Sequence, residues 1–203
     1  MDFSEWKYLI CSDLYRITGQ INWMILVRHV LFGESYKYIF WMRTCAYTKS
    51  HAIFRYVIYP FAKLYLRRLR YKLGISIPPE TQIGSGFYIG HFGGIVVNER
   101  CIIGKNCNLS HGVTLGQVNR GPRKGCPIIG DNVYIGPGAK IIGAVRVGNN
   151  VAIGANCVVT KDVPDNAVVV GVPGKIISFR GSQGYVNRTE YDMELSKRLR
   201  HAA

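Results

Sequence analysis

A six-residue period of aliphatic positions dominates the middle of the chain. From Ile129 to Val159 an aliphatic residue recurs every sixth position, and a small or β-branched residue follows four positions later; the same phase is present from Ile83 to Leu115. Such a period is typical of a left-handed parallel β-helix, in which each hexad forms one flat face and three hexads form one triangular coil. We therefore predict a mainly β fold, a left-handed parallel β-helix preceded by an α-helical region.

Two irregularities interrupt the period. A two-residue slip falls between Ile89 and Val97, and an eight-residue excess falls between Leu115 and Ile129. Without these residues the repeat over 83–164 makes about four coils of eighteen residues. The excess predicts a protruding loop at 117–127, and loops on a rigid scaffold are frequent places for functional sites.

Helical spacing of apolar residues precedes the repeat. It predicts four helices, and Gly19 and Gly33 are plausible ends of the first two. Pro60 is expected to kink or split the last helix. The predicted helices span 3–18, 22–31, about 35–48 and about 51–73. The predicted regions are an α-helical region at 1–75, the β-helix at 76–177 and a tail at 178–203 with a short helix near 190–200.

Positive charge and aromatic residues concentrate in the helical third. The 203 residues include 26 Lys and Arg against 12 Asp and Glu, and residues 1–76 hold 17 of the 24 aromatic residues. In the predicted fourth helix Ile53, Val57, Phe61 and Leu64 mark one face, and basic residues mark another. This region either packs on itself and on a neighbouring subunit or docks on an anionic membrane surface.

Neither a membrane span nor a secretory signal is evident. Uncharged runs in the helical third fall short of the roughly 18–20 residues that a span needs, and acidic Asp2 and Glu5 open the chain. We expect a cytoplasmic protein, with contact at the inner face of the membrane left open. The six cysteines show no zinc-site spacing and are expected to be reduced thiols.

Two histidines lie one coil apart. His91 and His111 are each third in their hexad, so they should stack on one face about 4.8 Å apart, and Pro137 and Ala155 continue the column. A neutral imidazole can take the proton of a hydroxyl that attacks an acyl carbon. The second histidine or a backbone N–H can stabilise the resulting oxyanion. A three-histidine zinc site lacks its third ligand on the β-helix, so no metal is expected.

Residues 74–177 resemble the hexapeptide-repeat acyltransferases. The hexads, the loop and the closing segment from Thr160 to Lys175 carry the likeness, and Gly90-His91 with Val113 to Gly116 point to the serine acetyltransferase branch. The resemblance implies a homotrimer with acetyl-CoA bound between neighbouring prisms. It also implies active sites shared between subunits and His91 as the catalytic base.

Three departures from serine acetyltransferases concern groups that hold the acceptor or orient the base. Gly90 replaces an aspartate before the histidine, Ser76 replaces the aspartate that partners it, and Gly125-Cys126 replace an Arg-His pair. In contrast, the glycines after His91 and the segment after His111 are similar to those of colanic-acid and capsule acetyltransferases. We therefore expect an O-acetyltransferase of polysaccharide biosynthesis that acts on a saccharide hydroxyl. Serine O-acetyltransferase of cysteine biosynthesis and a non-catalytic β-helical scaffold are the alternatives, and nucleic acid is the weakest partner.

The same resemblance suggests where acetyl-CoA and the acceptor bind. Small residues would leave room for the pantetheine arm and two lysines would pair with its nucleotide phosphates, while cations of the loop would face an anionic acceptor. For the lysines and the loop a solvated surface role is the alternative. Glu80 and Glu99 are candidates to orient His91. The cofactor residues are Gly136, Pro137, Ala139, Ala155, Lys161 and Lys175, and the acceptor residues are Arg120, Arg123 and Lys124.

Overall fold

Four helices precede the β region, as predicted. The computed structural model describes the backbone of residues 1–201 and the side chains of residues 1–196. α1 ends at Gly19, whose φ of 71° is left-handed, and the last helix continues through Pro60 without splitting. The helices are α1 (Phe3–Thr18), α2 (Trp23–Leu31), α3 (Ser35–Ser50) and α4 (Ala52–Leu73).

The β region is a prism with three sheets as its faces. Face A contains β1 (Ile75–Ser76), β4 (Ile95–Val97), β7 (Thr114–Gly116), β10 (Lys140–Ile142) and β13 (Val158–Val159). Face B contains β2 (Gln82–Ile83), β5 (Ile102–Ile103), β8 (Ile128–Ile129) and β11 (Arg146–Val147). Face C contains β3 (Tyr88–Ile89), β6 (Asn108–Leu109), β9 (Tyr134–Ile135), β12 (Ala152–Ile153) and β14 (Val168–Val170), with antiparallel β15 (Lys175–Ser178) at its end.

The left-handed parallel β-helix is thereby confirmed, and it is one coil longer than expected. Faces A and C are five parallel strands deep, whereas the hexad count predicts about four coils. The additional coil comes from β1 and β14, which lie outside the stretch of hexads. Their backbone hydrogen bonds extend the ladders beyond the residues that carry the aliphatic period.

Strand pairing confirms both irregularities of the repeat. Tyr88 pairs with Asn108, Val96 with Thr114, and Thr114 with Lys140. The number of residues between paired positions on neighbouring coils is therefore twenty across the slip, eighteen after it and twenty-six across the excess. The two additional residues consequently lie between β3 and β4, and the loop leaves the prism between β7 and β8.

A ladder of asparagines forms the corner between faces B and C. Each adopts a left-handed backbone with φ of 55–60°, a conformation that asparagine tolerates better than most residues. Their side-chain amides donate to one another down the corner at 2.8, 3.0 and 3.2 Å. These bonds reinforce the stacking of the coils. The ladder consists of Asn106, Asn132, Asn150 and Asn166.

A buried ion pair fastens the helices to the first coil. Arg43 of α3 donates from Nε to Asp13 Oδ2 of α1 at 3.0 Å, and both side chains are buried. The guanidinium also donates to the carbonyls of Ile83 and Gly84, while the Phe87 N–H donates to Asp13 at 2.7 Å. Because these partners satisfy both charges, the pair locks the helices onto the corner that joins β2 to β3.

The segment after β15 returns along the prism towards α1. Ser182 Oγ donates to the Asn132 carbonyl at 2.6 Å, and the hydroxyls of Tyr191 and Ser85 lie 2.9 Å apart. α5 (Tyr191–His201) matches the short helix expected there. It packs against α1, where Tyr8 donates to Asp192 at 2.7 Å.

Asp13→Ala should destabilise the protein strongly. The change leaves the buried Arg43 charge uncompensated, which costs about 3–5 kcal/mol of unfolding free energy. Lys49→Ala is the control, since it breaks the exposed Lys49–Glu80 pair of 2.6 Å and should cost less than about 1 kcal/mol. Urea unfolding of both variants measures the difference. Equal losses would contradict this role of Asp13.

Candidate active site

The two histidines stack at the corner between faces C and A. Their ring centroids lie 6.2 Å apart, with the planes inclined at 69°, and both side chains are exposed. Backbone N–H groups bond this corner from coil to coil: Gly112 donates to Gly93 at 2.7 Å and Gly138 donates to His111 at 2.9 Å. We call this edge the histidine corner; its column is His91, His111, Pro137 and Ala155, as the hexad count predicts.

Left-handed residues make the histidine corner tight. Gly94, Gly112 and Gly138 have φ of 66°, 71° and 72°, and Asn156 continues them with 54°. A Cβ on Gly94 would lie 3.3 Å from the Gly112 Cα, and one on Gly112 would lie 3.3 Å from the Gly138 Cα. Glycine is therefore needed both for the backbone angle and for the close approach of the coils. This packing fixes the backbone next to His111.

The structure adds Lys140 to this corner, a residue that the sequence analysis missed. Its half-buried ammonium group donates to the Gly112 carbonyl, one residue after His111. Lys140 begins β10 and pairs with Thr114. The hexad count across the loop is enough to place Lys140 at this corner, but Lys140 belongs to no recognisable motif.

No carboxylate lies at the histidine corner of the described chain. Glu80 falls between β1 and β2 and pairs with Lys49 at 2.6 Å. Glu99 falls between β4 and β5. Both therefore occupy the corner between faces A and B, one face away from His91. Ser76, which stands where the resemblance expects an aspartate, lies in β1 of face A.

The protruding loop leaves from the opposite end of face A. Val118 and Gly125 exchange backbone hydrogen bonds of 3.0 Å in each direction, so the loop is a short hairpin. Arg123 pairs with Asp162 at 2.7 Å, whereas Arg120 and Lys124 are exposed. Face A separates these cations from the histidines of the same chain.

The base of the loop is shaped by Gly125 and Cys126. Gly125 has φ of 137°, and a Cβ there would lie 3.1 Å from the Ala144 Cβ. The Cys126 thiol lies 3.3 Å from the Asn98 side-chain oxygen. Burial raises the pKa of neighbouring Cys101 to about 12, so that thiol stays protonated and unreactive.

The expected cofactor residues divide between the two ends of face A. Gly136, Pro137 and Ala139 form the turn of the histidine corner, and Ala155 lies one coil further along. Lys175 is exposed and lies near the same edge. Its position follows from the preceding residue, whose N–H donates to the Val158 carbonyl at 2.8 Å. Lys161, also exposed, follows β13 at the other end of face A.

Comparison with known proteins agrees with this architecture. The family model "Bacterial transferase hexapeptide (six repeats)" matches residues 126–161. The crystal structure of serine acetyltransferase from Brucella abortus has a TM-score of 0.71 and 31% identity, and the match covers 87% of this chain and 70% of that one. The chain belongs to the hexapeptide-repeat acyltransferase family.

The names of the similar proteins contradict the expected saccharide acceptor. Serine acetyltransferase from Bacillus pumilus is 38% identical over 143 residues, 70% of this chain and 65% of the relative. Serine acetyltransferase from Staphylococcus xylosus is 42% identical over 132 residues, 65% of this chain and 61% of the relative. The chain thus spans less than two thirds of these relatives. The expected polysaccharide O-acetyltransferase function is wrong, and the capsule-type branch and the saccharide acceptor lose their support.

Gly112→Ala should destabilise the protein more than Gly121→Ala does. Both glycines have a left-handed φ, 71° and 79°, but a Cβ on Gly121 meets nothing within 4 Å. The loop variant should lose about 1–2 kcal/mol through the backbone angle alone. Gly112→Ala should lose at least about 1 kcal/mol more, because a Cβ must push against the next coil. Denaturant unfolding compares them, and equal losses would contradict tight packing at the histidine corner.

Proposed function

We propose that this chain is an acetyl-CoA-dependent O-acetyltransferase whose acceptor is the hydroxyl of L-serine. The observation that carries the proposal is the 38–42% identity to proteins named serine acetyltransferase. The exposed histidine pair, one coil apart on the prism, supplies the base that such a transfer needs. Both observations favour an enzyme over a non-catalytic scaffold.

His91 acts as general base in this proposal. Its imidazole takes the proton of the acceptor hydroxyl while the hydroxyl oxygen attacks the thioester carbonyl carbon. The new C–O bond forms, the C–S bond breaks, and the proton passes from the imidazole to the departing thiolate of CoA. His111 or a backbone N–H of the histidine corner stabilises the oxyanion that precedes C–S cleavage.

The edge beyond the histidines suits the pantetheine arm of acetyl-CoA. Pro137 and Ala155 continue the column without long side chains, and Gly136 and Ala139 flank the turn. Lys175 near this edge and Lys161 at the far end of face A offer ammonium groups to phosphates. A related serine acetyltransferase from Brucella abortus, 30% identical, was crystallised in complex with coenzyme A.

A homotrimer would complete the site. The loop cations Arg120, Arg123 and Lys124 lie across face A from the histidines of their own chain. In a closed three-fold assembly the loop of one prism can face the histidine corner of the next. We propose that the acceptor binds there, between two subunits.

His91→Ala should abolish most turnover. Removing a general base lowers kcat by about 10²–10⁴, and the exposed position of His91 should leave folding intact. The assay follows CoA release with L-serine as acceptor. His29→Ala, in α2 and outside the prism, is the matched control and should keep the wild-type kcat. Wild-type kcat in His91→Ala would overturn the assignment of the base.

Gly90→Asp should improve the use of L-serine. A Cβ on Gly90 would lie no closer than 3.5 Å to Tyr88, so the site accepts a side chain. A carboxylate there supplies a charged hydrogen bond, worth about 1.5–3 kcal/mol, to the serine ammonium group. We expect kcat/KM for L-serine to rise about tenfold or more. Gly90→Asn, of the same shape without the charge, should change it little, and equal gains would contradict ammonium recognition.

A further inference from the structure

The outward face of α4 is apolar. Helix α4 buries the side of Ala62, Leu66, Leu69 and Leu73 against the rest of the protein. The apolar stripe singled out in the sequence lies on the opposite, solvent side, with Phe61 74% and Leu64 66% exposed. We call this stripe the α4 outer face; it consists of Ile53, Val57, Phe61, Leu64 and Tyr71, each at least 60% exposed.

The charged side chains on α4 itself are all basic. The sequence from residue 35 to residue 79 contains nine Lys and Arg and no Asp or Glu. Two of these residues, Arg43 and Lys49, form ion pairs with Asp13 and Glu80. The six basic residues on α4 are all exposed, and two of them, Lys63 and Arg67, lie over the rings of Tyr59 and Tyr71. The six are Arg55, Lys63, Arg67, Arg68, Arg70 and Lys72.

Charge complementarity decides what covers the α4 outer face. A two-fold contact with a second copy would place these cations opposite the same cations, and α4 has no carboxylate to offset them. An anionic lipid surface satisfies both features at once, because apolar and aromatic side chains enter the headgroup boundary while Lys and Arg meet phosphates. None of the described helices is long and apolar enough to span a bilayer. α4 can therefore contact a lipid surface only from one side.

We propose that α4 docks this protein on an anionic phospholipid membrane, with the α4 outer face against the headgroups and the basic residues on lipid phosphates. The proposal is independent of the reaction that the histidine corner catalyses. It concerns where the enzyme works, since α4 belongs to the helices that the Asp13–Arg43 pair locks to the prism. Docking would therefore hold the prism itself next to the membrane.

Vesicle sedimentation of the full-length protein tests this. The wild type should bind phosphatidylcholine vesicles that contain phosphatidylglycerol, bind pure phosphatidylcholine much less, and dissociate as salt rises. The triple change Arg67→Glu, Arg68→Glu and Lys72→Glu should lower the partition coefficient at least about a hundredfold, since each basic residue near the surface contributes roughly fivefold. No binding by the wild type to the anionic vesicles would overturn the proposal.

A control with three charge reversals outside α4 distinguishes binding through α4 from attraction by the overall positive charge of the chain. Lys7→Glu, Lys105→Glu and Arg180→Glu change the net charge equally at exposed positions outside α4. These changes should leave vesicle binding close to the wild type. If they weaken it as much as the α4 triple does, the attraction is non-specific and the proposal fails.

Removing the apolar contribution distinguishes lipid from a second copy. Phe61→Gln with Leu64→Gln should lower binding to anionic vesicles about tenfold or more, without changing the oligomeric state in the absence of lipid. Far-UV circular dichroism checks that the variants remain folded. Unchanged vesicle binding would overturn the proposal. A smaller oligomer without lipid would also overturn it, by identifying a second copy as the occupant.

Discussion

Every other feature of this protein depends on the register in which its coils stack. Each strand hydrogen-bonds to the strand one coil away, so the aliphatic residue of every hexad must keep facing the interior. Additional residues are then tolerated only at corners. The two-residue slip lies at the histidine corner and the eight-residue excess lies at the loop, on either side of face A. The constraint that builds the core thus also determines where the histidine corner and the protruding loop lie.

The helices join the same prism through a shared apolar cluster and several hydrogen bonds, some of them made by the buried Asp13–Arg43 ion pair. Either charge would be costly to bury without a partner. Asp13 and Arg43 pair with each other, and three backbone groups of the first coil complete their hydrogen bonds. Apolar side chains of the helices pack against the first coil, whose strands β1, β2 and β3 are the edge strands of the three faces. The same packing orients α4, which buries Leu66, Leu69 and Leu73 in this cluster and leaves the α4 outer face in solvent.

Local periodicity predicted the coils, the loop and the histidine column, because each follows from counting residues along a regular ladder. It could not predict which side of α4 is buried. Residues such as Leu66 and Leu69 and residues such as Val57 and Leu64 both recur at helical spacing, and only the tertiary contact chooses between them. Lys140 was missed for a similar reason, since its contact with Gly112 joins two coils. The saccharide acceptor was expected from three departures and from the segments after the two histidines, and these few positions carry less information than the similarity over the whole domain.

The departures from serine acetyltransferases differ in their structural basis. Gly90 has ordinary space for a side chain, so its difference from serine acetyltransferases is a substitution that the backbone tolerates. Gly125 is different, because its φ of 137° and its closeness to Ala144 make glycine part of the loop hairpin. An arginine at that position would require another loop conformation. Under the proposed function the serine carboxylate needs a cation, and Lys140 at the histidine corner is one candidate. In the proposed trimer Arg120 from the loop of an adjacent subunit is another.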